Sequence, residues 1–220
     1  MTAVSGRTGI LGGTFDPVHE GHMAAADAAC RALALDRVVL MPSHQPPHRP
    51  AEPAASAFHR FAMVSLATAA RPDVVASDLE LRRPGPSFTS DTLRDLHRSG
   101  FEASQLFFII GTDAFAEIAA WHDYPAVLDL AHFVVIARPG RSFAALHDRL
   151  PSLVPRMRAA GEDRNRLPDT GSCAIFLVDA ATPDVSSTEI RDRAARRLSL
   201  AGLVAPEVER HIRKHGLYGS

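Results

Sequence analysis

The chain has 220 residues, of which 46% are hydrophobic and 22% charged, and its net charge at neutral pH is -1. That composition fits one globular domain and offers no global attraction for nucleic acid or an anionic membrane. Its longest apolar runs, such as residues 106–110 and 133–137, are far too short to span a bilayer.

No basic stretch followed by an apolar one opens the chain, so no signal peptide is expected and a cytoplasmic setting is the default. Cys30 and Cys173 stand far apart and are expected as lone buried thiols, not as a disulfide or zinc pair. Among the 24 basic residues Lys214 is the single lysine. A phosphate loop ending in Gly-Lys-Ser/Thr is therefore excluded. Any cation facing a phosphate has to be arginine, histidine or a metal.

In chain order, residues 8–12 read as a buried strand that breaks at Gly12-Gly13. The alanine-rich, proline-free run 21–35 reads as a helix. Residues 37–41 form a second strand, stopped by Pro42. Four prolines between Pro42 and Pro50 forbid helix and strand alike and predict a stiff surface loop. Residues 58–69 read as a helix whose broad apolar face holds Phe58, Phe61, Ala62, Val64, Ser65 and Leu66. Residues 74–81 read as a strand, 84–87 as a turn, and 92–98 as a helix introduced by Thr89-Ser90-Asp91.

The continuous apolar run 106–110 predicts a strand buried on both faces of a parallel sheet. Gly111-Thr112-Asp113 opens a helix over 114–120, which Trp121-His122-Asp123-Tyr124-Pro125 breaks and 126–130 resumes. Residues 133–137 form another buried strand. The arginine-rich stretch 143–160 reads as an exposed helix and 161–171 as a mobile loop. Residues 174–178 make a last strand. Ser186-Ser187-Thr188 resembles a helix cap, followed by a helix over 189–198. A terminal helix spans 206–215, with Gly216 as its stop.

Strands alternating with helices at these spacings predict an α/β fold with a doubly wound parallel sheet, formed by a single domain over 1–220 whose small helical part is 186–220. If the strands ending at Gly12 and Gly111 are neighbours at the switch point, Asp16, His19 and Asp113 face one crevice. No internal repeat is visible.

Three groups of residues carry chemistry. Gly12-Gly13-Thr14-Phe15-Asp16-Pro17-Val18-His19-Glu20-Gly21-His22 places a glycine turn and two histidines at the mouth of a helix. Outward backbone N–H groups and the helix dipole favour phosphate there. On spacing alone, a capped helix with surface histidines, or a metal pair joined by His44 and His48, fits as well. Ser186-Ser187-Thr188-Glu189-Ile190-Arg191 is a second phosphate cradle by the same physics, or a plain capping box. Trp121 is either a core aromatic or a face on which a flat ring stacks. Arg138 is a phosphate clamp or a solvated charge.

Taken together, these residues resemble the nucleotidyltransferase superfamily, with its signatures Gly-x-Phe-Asp-Pro-x-His-x-Gly-His and Ser-Ser-Thr-x-Ile-Arg. Within it, the chain is similar to the bacterial nicotinate-nucleotide adenylyltransferases. The proline loop, Pro86-Ser87-Phe88-Thr89 and Trp121-His122 carry the finer likeness, and only the stretch 141–172 has no strong counterpart.

The resemblance implies a Rossmann-like nucleotidyltransferase fold. It also implies transfer of the adenylyl group of ATP to nicotinate mononucleotide, giving deamido-NAD and pyrophosphate. The acceptor phosphate attacks the α-phosphorus directly, so catalysis rests on positioning and charge stabilisation.

Carried over by position, His19, His22 and Arg191 are catalytic. Gly12, Gly13, Thr14, Phe15, Gly111, Asp113, Arg138, Ser187 and Thr188 join them in holding ATP. His48, Arg49, Thr89, Trp121 and His122 hold nicotinate mononucleotide, and Asp16 belongs with them as support for the loop geometry. Arg49 stands where the family usually has lysine. Mg²⁺ arrives with ATP, with no dedicated protein metal site.

The partners implied are small molecules, with no nucleic acid and no membrane; oligomeric state is not legible. The competing readings are the same transfer to nicotinamide mononucleotide or phosphopantetheine, and a non-catalytic nucleotide- or metal-binding protein on the same fold.

Overall fold

A computed structural model describes residues 6–47, 52–137, 143–160 and 173–219. Its strands are β1 (Thr8–Gly13), β2 (Arg37–Pro42), β3 (Val74–Ala76), β4 (Leu106–Gly111), β5 (His132–Ala137), β6 (Met157–Ala159) and β7 (Ile175–Asp179). Its α-helices are α1 (Glu20–Leu33), α2 (Ala57–Thr68), α3 (Thr89–Arg98), α4 (Thr112–Phe115), α5 (Ala144–Arg149), α6 (Ser187–Ala195) and α7 (Pro206–Lys214). The strands make a seven-stranded sheet of order β3-β2-β1-β4-β5-β7-β6. The order reverses between β1 and β4, which pair in parallel with Thr8 opposite Leu106 and Leu11 opposite Ile109. This is the α/β, doubly wound arrangement expected from the alternation of elements. No helix among the described residues is long and apolar enough to cross a membrane.

Contacts divide the chain into two compact units. The first comprises Met1–Leu11, Ala25–Val38 and Phe88–Thr182. Every residue of β5 is buried, as is all of β4 except Gly111. In register, Phe108 lies opposite Phe133 and Ile109 opposite Val134. Strands covered on both faces read as unbroken apolar runs, which is why this region was plain in the sequence. Cys173 is buried and Cys30 half-buried, and the two form no disulfide with each other.

Three expectations in this unit are corrected. The helix over 114–120 is α4 followed by a 3-10 turn at Ile118–Ala120. Phe115 and Ile118 are both fully buried, and residues three apart come onto one line in a 3-10 winding. Residues 126–130 are likewise a 3-10 turn, Ala126–Asp129. The exposed helix over 143–160 is instead α5, a 3-10 segment Pro151–Arg156 and the strand β6. Leu146, Leu150, Leu153 and Met157 are buried. Their spacing copies a helical face, but Pro151 and Pro155 withdraw N–H donors. Met157–Ala159 then pairs in parallel with β7, Met157 opposite Ile175. The loop expected over 161–171 lies outside the described residues.

The second unit comprises Gly12–Ala24, Val39–Ser87 and Pro183–Ser220. In α2 the buried side chains are Arg60, Met63, Val64 and Thr68, whereas Phe58 is 87% exposed. The helix is thus turned away from the face its apolar residues suggested, because Arg60 goes inside. The expected strand over 74–81 stops at Ala76. Ser77 Oγ accepts a hydrogen bond from Leu79 N at 3.3 Å, a local turn that competes with the ladder. A 3-10 turn, Glu80–Arg82, follows. The proline loop is tied to the 84–87 turn, since His44 N donates to Ser87 Oγ at 2.8 Å and Ser87 N to Gln45 O at 2.9 Å.

Candidate active site

The glycine-histidine motif lies in the second unit. After Gly13, Phe15 takes a left-handed backbone (φ 50°) while its side chain is buried. Such a conformation costs a non-glycine residue about 1 kcal/mol or more and persists only where its surroundings fix it. The fixing group is Asp16, which is 3% exposed. Its Oδ2 accepts from Ala54 N at 2.7 Å, and its Oδ1 from Ala55 N at 3.1 Å and from Tyr218 Oη at 2.8 Å. The carboxylate is therefore turned into the protein.

Arg60 braces the same turn from below. Its guanidinium donates to Thr14 O at 2.7 Å, Ala55 O at 3.3 Å and His44 O at 3.4 Å. Burial pulls this guanidinium below its ordinary pKa, and the neighbouring Asp16 and Tyr218 oppose the shift. The Tyr218 hydroxyl is pushed well above the ordinary phenol value, first by burial and then by the charge of Asp16 and the hydrogen bond to it.

His19 and His22 stack, with ring centres 3.7 Å apart and planes at 28°. His19 N donates to His22 Nδ1 at 3.2 Å. An acceptor Nδ1 requires the neutral tautomer with its proton on Nε2, so His22 is set as a hydrogen-bond donor at that atom. Phe15 meets the His22 ring edge-on at 4.9 Å. Gly21 makes room for the pair: a Cβ there would lie 3.0 Å from both Cε1 and Nδ1 of His19.

The second motif comes to the first. Ser186 caps α6 by accepting from Glu189 N at 3.1 Å. Ser187 Oγ donates to Pro17 O at 2.9 Å, and Arg191 Nη1 donates to Asp16 O at 2.8 Å. Arg191 Nη2 also donates to Thr188 Oγ1 at 3.2 Å. Thr14, Phe15, Asp16, His19, His22, Ser187, Thr188 and Arg191 thus form one constellation, with Gly12 and Gly13 leading into it.

The first unit holds a separate group. Gly111 ends β4, and Asp113 sits exposed in the first turn of α4, whose Thr112 Oγ1 donates to Ile136 O at 3.0 Å. Thr89 begins α3 directly after Phe88, on which His122 stacks at 4.3 Å. Trp121 packs T-shaped against Phe108. Thr89, Trp121 and His122 are therefore neighbours. His48, Arg49 and Arg138 lie outside the described residues.

Among the described residues, Asp91, His122 and Asp123 form a group with metal-ligand spacing. Arg94 sits between the two carboxylates, 2.5 Å from Asp123 and 3.7 Å from Asp91. Its hydrogen bond is the main reason the Asp123 carboxyl lies below its usual range. A guanidinium already fills the place a cation would take.

Neither Arg60 nor Tyr218 belongs to a motif legible in the sequence. For Arg60, the one signal was an arginine set inside an otherwise apolar helical stretch.

The cytidylyltransferase-like family pattern matches residues 10–193. A protein of Geotalea uraniireducens, described as a probable nicotinate-nucleotide adenylyltransferase, is 37% identical over 212 residues, covering 96% of this chain and 98% of its own. One of Trichlorobacter lovleyi with the same description is 39% identical, covering 96% and 99%. The solved Plasmodium falciparum nicotinic acid mononucleotide adenylyltransferase complexed with NaAD superposes with a TM-score of 0.72 at 16% identity, over 98% of each chain. With two full-length relatives above a third identity and both signatures intact, the chain belongs to the cytidylyltransferase-like nucleotidyltransferases, in the branch of the nicotinate-nucleotide adenylyltransferases.

Proposed function

We infer that this enzyme transfers the adenylyl group of ATP to nicotinate mononucleotide, giving deamido-NAD and pyrophosphate in NAD biosynthesis. The observation that carries the reading is the hydrogen bonding of Ser187 and Arg191 to the carbonyls of Pro17 and Asp16. It makes one phosphate site out of two motifs far apart in sequence.

In the reaction, a phosphate oxygen of the acceptor forms a bond to the α-phosphorus of ATP, and the bond to the β-phosphate bridging oxygen breaks. No enzyme nucleophile is required. The protein supplies position and charge. Backbone N–H groups at Thr14 and Phe15 approach the reacting phosphates. The Nε2–H of His22, with His19 beside it, stabilises charge on the pentacoordinate phosphorus. Ser187, Thr188 and Arg191 hold the departing pyrophosphate. Asp113 takes the adenosine ribose hydroxyls, and Gly111 and Arg138 contribute to holding ATP. Trp121 stacks on the pyridine ring, His122 and the Thr89 backbone meet its carboxylate, and His48 and Arg49 face the acceptor.

Adenylyl transfer from ATP generally uses a divalent metal, and Mg²⁺ bound to the phosphates is the fitting choice. Asp16 has both carboxylate oxygens engaged by protein donors, which suits a metal held by phosphates and water. We place the reaction in the cytoplasm.

The test is pyrophosphate release by purified protein with ATP, Mg²⁺ and either nicotinate or nicotinamide mononucleotide. Release with the acid well above that with the amide is expected. Equal efficiency overturns the acceptor assignment, and no release with either overturns the function.

A further inference from the structure

Away from the phosphate constellation, the second unit gathers three histidines from two helices. His59 lies in the first turn of α2, while His211 and His215 lie one turn apart at the end of α7. His59 Nδ1 and His211 Nε2 are 3.1 Å apart. Ring centres are separated by 5.2 Å for His59–His211, 5.0 Å for His59–His215 and 4.4 Å for His211–His215. His215 N still donates to His211 O at 3.1 Å, so the two keep helical spacing. None of the three belongs to either phosphate motif.

We propose that His59, His211 and His215 form a site for a divalent transition metal, Zn²⁺ being the best fit, that clips α2 to α7.

The dimensions agree with such a site. Two imidazole nitrogens on a tetrahedral Zn²⁺, at about 2.0–2.1 Å each, lie about 3.3 Å apart, and their ring centres about 5 Å apart. His59 Nδ1 and His211 Nε2 share a hydrogen bond at 3.1 Å, close to that separation, and the metal takes the place of the shared proton. The ligand atoms of all three do not yet converge as those of Asp91, His122 and Asp123 do; His215 is exposed, and metal binding requires its ring to swing in. Histidines at i and i+4 on one helix are a recurring metal-binding pair, and the third ligand comes here from the neighbouring helix. Water completes the set on the exposed side, leaving three protein ligands and an open position.

The protonation state is also suitable. Burial, with His215, His59 and Lys214 nearby, holds His211 below the ordinary histidine pKa, and a metal requires the neutral imidazole. The nitrogen-only donor set favours Zn²⁺, Ni²⁺, Cu²⁺ or Co²⁺ over Mg²⁺ or Ca²⁺. The site is therefore distinct in chemistry from any metal that travels with ATP. It also has a route to the phosphate constellation. His59 precedes Arg60, which holds Thr14 O, and α7 leads to Tyr218, which holds Asp16.

The experiment is titration of the full chain, free of any polyhistidine tag, with Co²⁺ at neutral pH. Ligand-field absorption and melting temperature are recorded for wild type, His59→Ala, His211→Ala, His215→Ala and Asp123→Asn. Wild type should show intense tetrahedral Co²⁺ bands at one equivalent and a raised melting temperature. Because losing an outer partner of a metal ligand already costs about 10–100-fold in affinity, losing a ligand should cost at least that. Asp123→Asn, which disables the acidic group, should behave as wild type. His215 is exposed, so its variant folds whatever the other two do. Absence of tetrahedral bands in wild type, or their survival in His215→Ala, overturns the proposal.

Discussion

Tyr218 donates a hydrogen bond to Asp16 Oδ1 at 2.8 Å across a sequence separation of 202 residues. Tyr218 thereby fixes the carboxylate around which the turn after Gly13 is folded. Tyr218→Phe keeps the ring and removes the donor to a buried charge, which should cost about 1.5–3 kcal/mol in urea unfolding. The pH dependence follows from the raised phenol pKa. The folded state keeps the proton that the unfolded chain releases near pH 10. Stability from this group is therefore complete below about pH 10 and declines as pH rises beyond it. Tyr218→Phe should flatten that alkaline decline, read as melting temperature against pH; an unchanged slope would show that the phenol proton is not linked to folding.

Arg60 holds three backbone carbonyls from three segments: Thr14, His44 and Ala55. Arg60→Met would leave three acceptors facing an apolar side chain, at a cost of about 3 kcal/mol or more. Arg60→Lys retains charge but loses the planar fork, so it should recover stability only in part. Arg60→Lys should also lower kcat, because Thr14 and the proline loop lose a shared brace. A lysine variant equal to wild type in both measurements would refute the fork as the organising element.

These two residues also mark where sequence reading ended. The strands β4, β5 and β7 were plain because burial on both faces leaves an unbroken apolar run. The glycine-histidine turn and the Ser186 cap were plain because both are local. Arg60 stood out only as a charge in an apolar helical stretch, and periodicity counts a charge as surface; its compensation comes from carbonyls of Thr14, His44 and Ala55 outside the helix. Tyr218 has a partner that no local window contains. The strand β6 was hidden because Leu146, Leu150, Leu153 and Met157 repeat with helical spacing. It is the two prolines and the neighbouring β7 that decide the outcome.

In the first unit, His132 sets an acid limit on stability. It is stacked on Phe107 with ring centres 4.8 Å apart, its Nδ1 accepts from Ala174 N at 3.0 Å, and burial lowers its pKa to about 4. The unfolded chain takes up this proton near pH 6.5, whereas the folded chain resists until about pH 4. Stability is therefore full above about pH 6.5 and falls as the pH is lowered, by about 3 kcal/mol at the end of that window. Urea midpoints between pH 7 and pH 4 should show this loss, and His132→Asn should lessen the slope.

His22 should matter to the chemical step more than to the fold. Its Nδ1 is held by His19 N, which leaves the Nε2 proton for a phosphate oxygen. Removing one preorganised donor of this kind typically lowers kcat by about 10²–10³. His22→Ala should show that loss with an unchanged circular dichroism spectrum. Activity within about tenfold of wild type, roughly 1.4 kcal/mol of barrier, would mean that His22 does not meet the reacting phosphates.

Gly21 separates position from stability most sharply. It lies near the start of α1, where alanine is favoured over glycine by about 1 kcal/mol in helix propensity. A Cβ at this position would nonetheless come within 3.0 Å of Cε1 and Nδ1 of His19, a contact that the ring relieves by turning away from His22. Gly21→Ala should therefore leave the melting temperature equal to wild type or higher while reducing kcat several-fold, since the His19 ring must give by a few tenths of an ångström and a displacement of about 1 Å in a positioned group costs up to 10²-fold. Gly21→Ser should do the same, with its added atom in the same place. If both variants keep full turnover, the histidine stack has room to spare and the glycine serves only the backbone. If both lose turnover and stability together, the contact is relieved by the helix and not by the ring.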